Sequence, residues 1–281
     1  MTSRLWRSVL LASALALAAC ATNPYTERQQ LLLLPESEDA KLGAQAYDQV
    51  LHDPKVKISH DPREVEPVKR VAARIIEAAK NSKYAERARQ FDWEVTVIKN
   101  DKTMNAFALP GGKIAVYTGI FPVAKNEAGL AAILGHEVTH ALARHGAERM
   151  SQGLLAQIGM EAASIALGTG TNPAVGQATM AALGLGANVG ILLPFSRAHE
   201  SEADHIGILL AAQAGYDPHE AMHVWERMEQ LSKNQPPEFL STHPGHGTRI
   251  KQLEEWMPEA LSYYRPQPGF HVADLPALAP R

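Results

Sequence analysis

His136-Glu137-Val138-Thr139-His140 sits inside a run, Glu127 to about Met150, whose pattern predicts one long helix with Asn126 as its N-cap. The segment before it, Leu130-Ala131-Ala132-Ile133-Leu134-Gly135, is small and apolar, so this helix is expected to be buried. His136 and His140 are four residues apart, which places their side chains about 40° apart around the axis and one turn along it. Two imidazoles so placed can ligate one small cation. Glu137 lies about 100° round the helix from His136. It is poorly placed to be a ligand, but it can reach a water on the open side of the metal. Two ligands plus a base suit metal-assisted hydrolysis.

A catalytic zinc site takes three protein ligands and keeps one position open. Ser196-Arg197-Ala198-His199-Glu200-Ser201-Glu202-Ala203-Asp204 offers the third. Glu200 and Asp204 are four apart and share a helix face. One carboxylate can bind the metal while the other accepts the free N–H of a ligand histidine. Glu202 is expected to point away as a surface charge. His199 and His205 stand as rivals to Glu200, since a third histidine would also satisfy zinc. His145 is expected to be structural.

The chain has 281 residues, 46% of them hydrophobic and 20% charged, as in a globular protein with a real core. A net charge of −3 leaves no basic stripe and aromatic residues are few, so nucleic acid is excluded as an expected partner. Ser37 to Leu51 reads as a helix capped by Ser37, and Pro67 to Ala79 as a second. Phe91–Ile98 and Lys113–Thr118 read as strands. Leu31-Leu32-Leu33-Leu34 reads as a strand or a docking segment. Helices follow at Ser196–Ala214, Pro218–Leu231 and Arg249–Trp256. Pro236-Pro237 and Ser241–Gly247 read as loops. The Ala- and Gly-rich stretch from Ala162 to Pro194 reads as buried helices or as a flap against membrane or substrate. No fixed-period repeat is present.

The N-terminus carries Arg4 and Arg7, then the short apolar run Val9–Ala19, then Leu17-Ala18-Ala19-Cys20. Basic region, apolar core and small residues before a cut site describe a secretory signal. Small residues before a cysteine resemble the bacterial lipobox, which implies cleavage before Cys20 and acyl chains on that residue. Ala21, rather than Asp, favours sorting to the outer membrane, facing the periplasm.

The motifs together resemble the HtpX and CAAX prenyl-protease family of zinc metallopeptidases, and within it the periplasmic lipoprotein branch. Asn105-Ala106-Phe107-Ala108-Leu109-Pro110-Gly111-Gly112, His136-Glu137-Val138-Thr139-His140, Ser196-Arg197 with Glu200 to Asp204, and Ser241-Thr242-His243-Pro244 with Arg249-Ile250 carry the resemblance, in that order. It implies one Zn2+ per chain held by His136, His140 and Glu200. Glu137 would be the general base and acid, and Asp204 and Arg249 would support the ligands. Asn105, Ala106, Phe107, Gly111 and Gly112 would lead the edge strand that pairs with a substrate backbone. His243 would polarise the scissile carbonyl or block the metal as a fourth ligand, with His246 its rival.

The expected fold is α+β, a mostly helical zincin-like metallopeptidase domain with a small sheet beside the 136–140 helix. The expected organisation is a signal peptide at 1–19, a lipidated tether at 20–30, the domain at 31–265 and a tail at 266–281. The expected activity is endopeptidase cleavage of misfolded or stalled outer-membrane proteins. The expected partners are protein or peptide substrates, the outer membrane and its assembly machinery. The competing expectation is a zinc-containing chaperone or assembly factor with little proteolysis.

Overall fold

The computed structural model describes residues 20–166, 195–232, 238–243, 247–266 and 271–278. The expected signal peptide at 1–19, most of the apolar stretch to Pro194, Pro236-Pro237 and His246 lie outside the described residues.

Every side chain of the helix Glu127–Leu142 (α5) is buried, and the rest of the structure is arranged around it. Asn126 caps it as expected, its side chain accepting from Gly129 N–H at 2.8 Å. On one side lies Pro62–Lys80 (α2), which starts five residues earlier than its apolar period predicts. Asp61 provides the cap and Pro62 the fixed φ of a first turn. Val68, Val71, Ala72, Ile75 and Ile76 form its buried face. On the other side lies Arg197–Gln213 (α7), capped by Ser196, which accepts from His199 N–H at 3.2 Å.

The sheet has three strands, Glu94–Ile98 (β3), Ala106–Leu109 (β4) and Lys113–Tyr117 (β5), in the order β3-β5-β4. β3 runs parallel to β5 and β4 antiparallel. β4 is therefore an edge strand, and it lies against α5. Tyr117 N–H donates to Asn105 O, so Asn105, Phe107 and Leu109 turn their backbone groups towards β5. Ala106 and Ala108 turn theirs to the free edge. Gly111 and Gly112 form the β4–β5 turn at φ 83° and 93°, which only glycine adopts freely.

The helix Glu36–Leu51 (α1) covers the sheet through Tyr47, which packs with Ile98 and Ala115. Pro35, not Ser37, precedes its first turn, and no side chain caps it. A short helix, Ala85–Gln90 (α3), precedes β3, and another, Phe121–Ala124 (α4), precedes α5. Behind α7 lie Glu220–Ser232 (α8), Glu238–Thr242 (α9) and Arg249–Tyr263 (α10). α9 falls partly within the expected loop at 241–247, and α10 runs seven residues beyond Trp256.

Three sequence expectations are corrected. The single helix to Met150 is broken: Arg144 adopts φ 58°, and His145–Ala166 (α6) starts afresh. The Arg144 guanidinium holds this turn by donating to Asp39 at 3.0 Å and to Leu34 O at 2.7 Å. The 20–30 segment is no loose tether. Cys20–Thr22 (β1) pairs with Gln29–Leu31 (β2) in a hairpin, with Asn23 and Gln30 buried. The tail also packs: Leu275 is buried and donates its N–H to Lys125 O, and Ala273 O accepts from Glu127 N–H, both at 2.9 Å. Among the described residues no helix is long and apolar enough to cross a membrane.

α5 and α7 cross at Gly135 and Gly207. A Cβ on Gly135 would lie 2.5 Å from Gly207 O, and one on Gly207 would lie 2.8 Å from His136 N. Both obstacles are backbone, so the helices would have to part. Gly135→Ala gains about 1 kcal/mol of helix propensity. The overpacking costs about 1–3 kcal/mol or more. The urea midpoint of Gly135→Ala is expected below wild type; a midpoint above it would mean that the crossing is not tight.

Candidate metal centre

The close crossing brings His136 and His140 of α5 up to Glu200 of α7. His243, just after α9, completes the group. One donor atom from each of the four lies within 4.8 Å of all the others, and all four residues are buried. His136 Nε2 is 3.1 Å from His140 Nε2 and 3.2 Å from His243 Nδ1. Glu200 Oε1 is 3.0 Å from His243 Nδ1 and 3.4 Å from His140 Nε2. Donors around a tetrahedral zinc at about 2.0–2.1 Å are separated by about 3.3 Å. The observed spacings therefore fit one zinc ion among three imidazoles and a carboxylate.

The surroundings set each donor. His136 Nδ1 donates to Asp204 Oδ1 at 2.9 Å, which leaves the Nε2 lone pair for the metal. Arg249 donates to Asp204 Oδ2 at 2.6 Å and to Glu200 Oε2 at 2.7 Å, clamping both carboxylates. Its guanidinium lies 3.5 Å from the Trp225 ring centre. Burial pulls the His140 pKa well below its ordinary value, so the ring stays unprotonated and ligand-ready. Burial alone would raise Glu200, but His243 and His140 beside it hold its carboxyl far below the usual range. Asp204 is likewise held low, by Arg249 and His136 against the opposing effect of burial.

Glu137 is buried, and its Oε1 has no hydrogen-bond partner among the described residues. The nearest cation-capable group is His243 Nε2 at 3.5 Å. Burial raises the Glu137 pKa, while a hydrogen bond from the Ala108 backbone opposes the rise. Burial also pulls His243 down, but Glu137 and Glu200 outweigh it and raise the pKa overall. The His243 ring is held between Phe239, stacked at 4.4 Å, and Phe195 at 5.3 Å.

A largely apolar cleft opens from this centre. Leu42 and Ala46 of α1, Phe107 and Leu109 of β4, Met150 of α6 and Phe195 line it, with Glu137, His140 and His243 at its base. Asn105, Ala106 and Phe107 line it. Gly111 and Gly112 do not; they make the turn beyond it.

The rival ligands are excluded by position. His199 Nε2 faces Glu148 at 3.1 Å, and His205 pairs with Glu259 at 2.7 Å while stacking on Trp256. Glu202 is buried, not a surface charge: it accepts from Arg28 at 2.8 Å and from His145 Nε2 at 3.0 Å. His145 in turn meets His140 Nδ1 at 3.0 Å. Its pKa is lowered to about 4 by burial, against the pull of Glu202. Spacing could not find these residues, because the turn at Arg144 resets the helical phase between His140 and His145. The one available signal was the density of His and Glu between positions 136 and 148.

A helix bearing His-Glu-x-x-His, met by a glutamate from a second buried helix, defines a metallopeptidase of the zinc class. The chain belongs to peptidase family M48, whose model matches residues 63–257. It is 45% identical to the mitochondrial metalloendopeptidase OMA1 of Schizosaccharomyces pombe over 174 residues, covering 60% of this chain and 48% of that one. It is 30% identical to the protein of the same name in Saccharomyces cerevisiae over 254 residues, 86% of this chain and 70% of that one. A β-barrel assembly-enhancing protease of Yersinia pestis is 34% identical over 160 residues, 55% of this chain and 32% of its own length. The chain spans about half the length of the first of these relatives.

Proposed function

We propose that this chain is a zinc endopeptidase that hydrolyses peptide bonds of misfolded or stalled outer-membrane proteins from the periplasmic side. The observation that carries the reaction is the unpartnered Glu137 Oε1, buried beside four converging donors at the base of a cleft. Zinc, when bound, supplies a Lewis acid that polarises a carbonyl and lowers the pKa of water towards about 7. His136, His140 and Glu200 hold it. Glu137 takes a proton from the attacking water on Oε1 and returns it to the departing amine. Its burial-raised pKa suits both tasks. The backbone groups of Ala106 and the Ala108 carbonyl, turned away from β5, offer an edge to which an extended substrate pairs. His243 must leave the donor group for a carbonyl to enter. Displaced, its ring N–H is available to the developing oxyanion.

The substrate class rests on the Yersinia relative's name and on the export signal. Arg4, Arg7, the apolar run and Cys20 support a lipid anchor that holds the chain at the outer membrane, within reach of its assembly machinery. The competing reading is a zinc-containing chaperone or assembly factor with little proteolysis. It is favoured by His243, which fills the fourth donor position.

Casein cleavage by the full chain is expected to be abolished by a chelator and restored by zinc. Glu137→Gln should lower kcat/KM by about 10²–10⁴-fold while zinc content stays at one per chain. Retained activity would sink the role of Glu137. Absence of chelator-sensitive cleavage by wild type, under every lipid and osmotic condition tried, would favour the chaperone reading. Cys20→Ala should move the protein from the outer-membrane fraction to the soluble periplasmic fraction. A variant that still sediments with the membrane would contradict lipid anchoring.

A further inference from the structure

The two histidines of α5 are oriented by different means. His136 reaches Asp204 directly. Among the described residues His140 Nδ1 reaches no carboxylate; at 3.0 Å it meets His145 Nδ1. His145 Nε2 then meets Glu202 Oε2 at 3.0 Å. Glu202 is fixed by the N-terminal hairpin. Arg28 Nη2 donates to its Oε2 at 2.8 Å, and Thr26 Oγ1 donates to its Oε1. Asn23, buried in the hairpin turn, shapes that turn by accepting from Tyr25 N–H at 2.9 Å and Thr26 N–H at 3.3 Å.

The bonding pattern fixes every proton along this path. Glu202 accepts from Thr26 and Arg28, so it presents His145 with a lone pair. His145 Nε2 must therefore carry the hydrogen. A neutral ring then has a lone pair on Nδ1, which faces His140. His140 must carry its hydrogen on Nδ1, leaving Nε2 free to bind a metal. In the other tautomer of His145 two N–H groups would face each other, or His140 would carry its hydrogen on the ligating nitrogen.

We propose that Arg28, Glu202 and His145 are positioning residues that set the tautomer and orientation of His140, so that the N-terminal hairpin is part of the metal centre. This rests on the zinc reading above and adds residues to it. A parallel branch provides an internal control. Arg28 also donates to Glu148 at 2.7 Å and 2.8 Å, and Glu148 meets His199 at 3.1 Å. Along hydrogen bonds that branch stops at His199, whose ring stacks on His145 at 4.5 Å but which is not a donor of the metal group. Both branches hold the hairpin, but one alone leads by hydrogen bonds to a ligand.

The test uses full-length protein stripped of metal, with zinc affinity measured by competition against a chromophoric chelator. Thermal midpoints and far-ultraviolet circular dichroism of the metal-free variants report folding separately. Glu202→Gln and His145→Leu are each expected to weaken zinc binding about 10–100-fold, the usual range for partners of a ligand histidine. The cobalt-substituted forms should show a shifted visible band. Glu148→Gln should lower the metal-free thermal midpoint, as Glu202→Gln does, but leave zinc affinity at the wild-type value. Wild-type affinity in a folded Glu202→Gln or His145→Leu variant would overturn the proposal. So would an equal loss in Glu148→Gln, which would assign the effect to hairpin stability rather than to the path through His145. If wild type itself takes up no zinc, the metal reading fails first, and that result is distinct from either outcome.

Discussion

The approach of α5 to α7 at Gly135 and Gly207 is the constraint on which the rest depends. Imidazole and carboxylate side chains are short. Donor atoms on the two helices come within 3.4 Å of each other beside this close crossing. That approach also buries Glu200, Asp204, His136 and His140 in one low-dielectric layer. Buried carboxylates are costly unless paired. Arg249 answers this for Glu200 and Asp204, and its stacking on Trp225 keeps the guanidinium in place. Arg28 plays the same part for Glu148 and Glu202. The buried carboxylates in and around the centre are thus held by two arginines far apart in sequence.

Much of this was legible in the sequence, where the relevant spacing is local to one helix. His136, Glu137 and His140 share a helical turn, and Glu200 and Asp204 share another, so the 3.6-residue period places them without further information. The all-apolar surroundings of residues 130–135 announced burial correctly, and Asn126 caps its helix as expected. What was not legible depends on backbone departures or on distant partners. The left-handed turn at Arg144 is held by Asp39 and Leu34 O, more than a hundred residues earlier. It decides where His145 points. Glu202 reads as a surface charge because nothing near it in sequence pairs with it; its partners are Thr26, Arg28 and His145. The hairpin at 20–31 looks like a polar tether for the same reason: its buried residues are polar and satisfied only by distant groups.

The cleft joins the edge of the sheet to the base at Glu137. Ala108 lies at that junction, its backbone bonded to the Glu137 carboxylate and its strand exposed to the cleft. A peptide laid along β4 would therefore pass its carbonyls over the same carboxylate to which the proposed mechanism gives the proton. His243 stands in the way, held by two phenylalanines and two carboxylates. In the proposed mechanism the same ring occupies the fourth donor position and must move aside, from between two aromatic walls, before it assists the reaction.

The most direct measure of this account is the position of zinc in crystals of the metal-loaded full chain, located by anomalous scattering at the zinc edge. The account places one peak about 2.0–2.1 Å from His136 Nε2 and His140 Nε2, with Glu200 as the carboxylate ligand. A peak bound by His199 or His205 instead, or zinc found only at the surface, would contradict it.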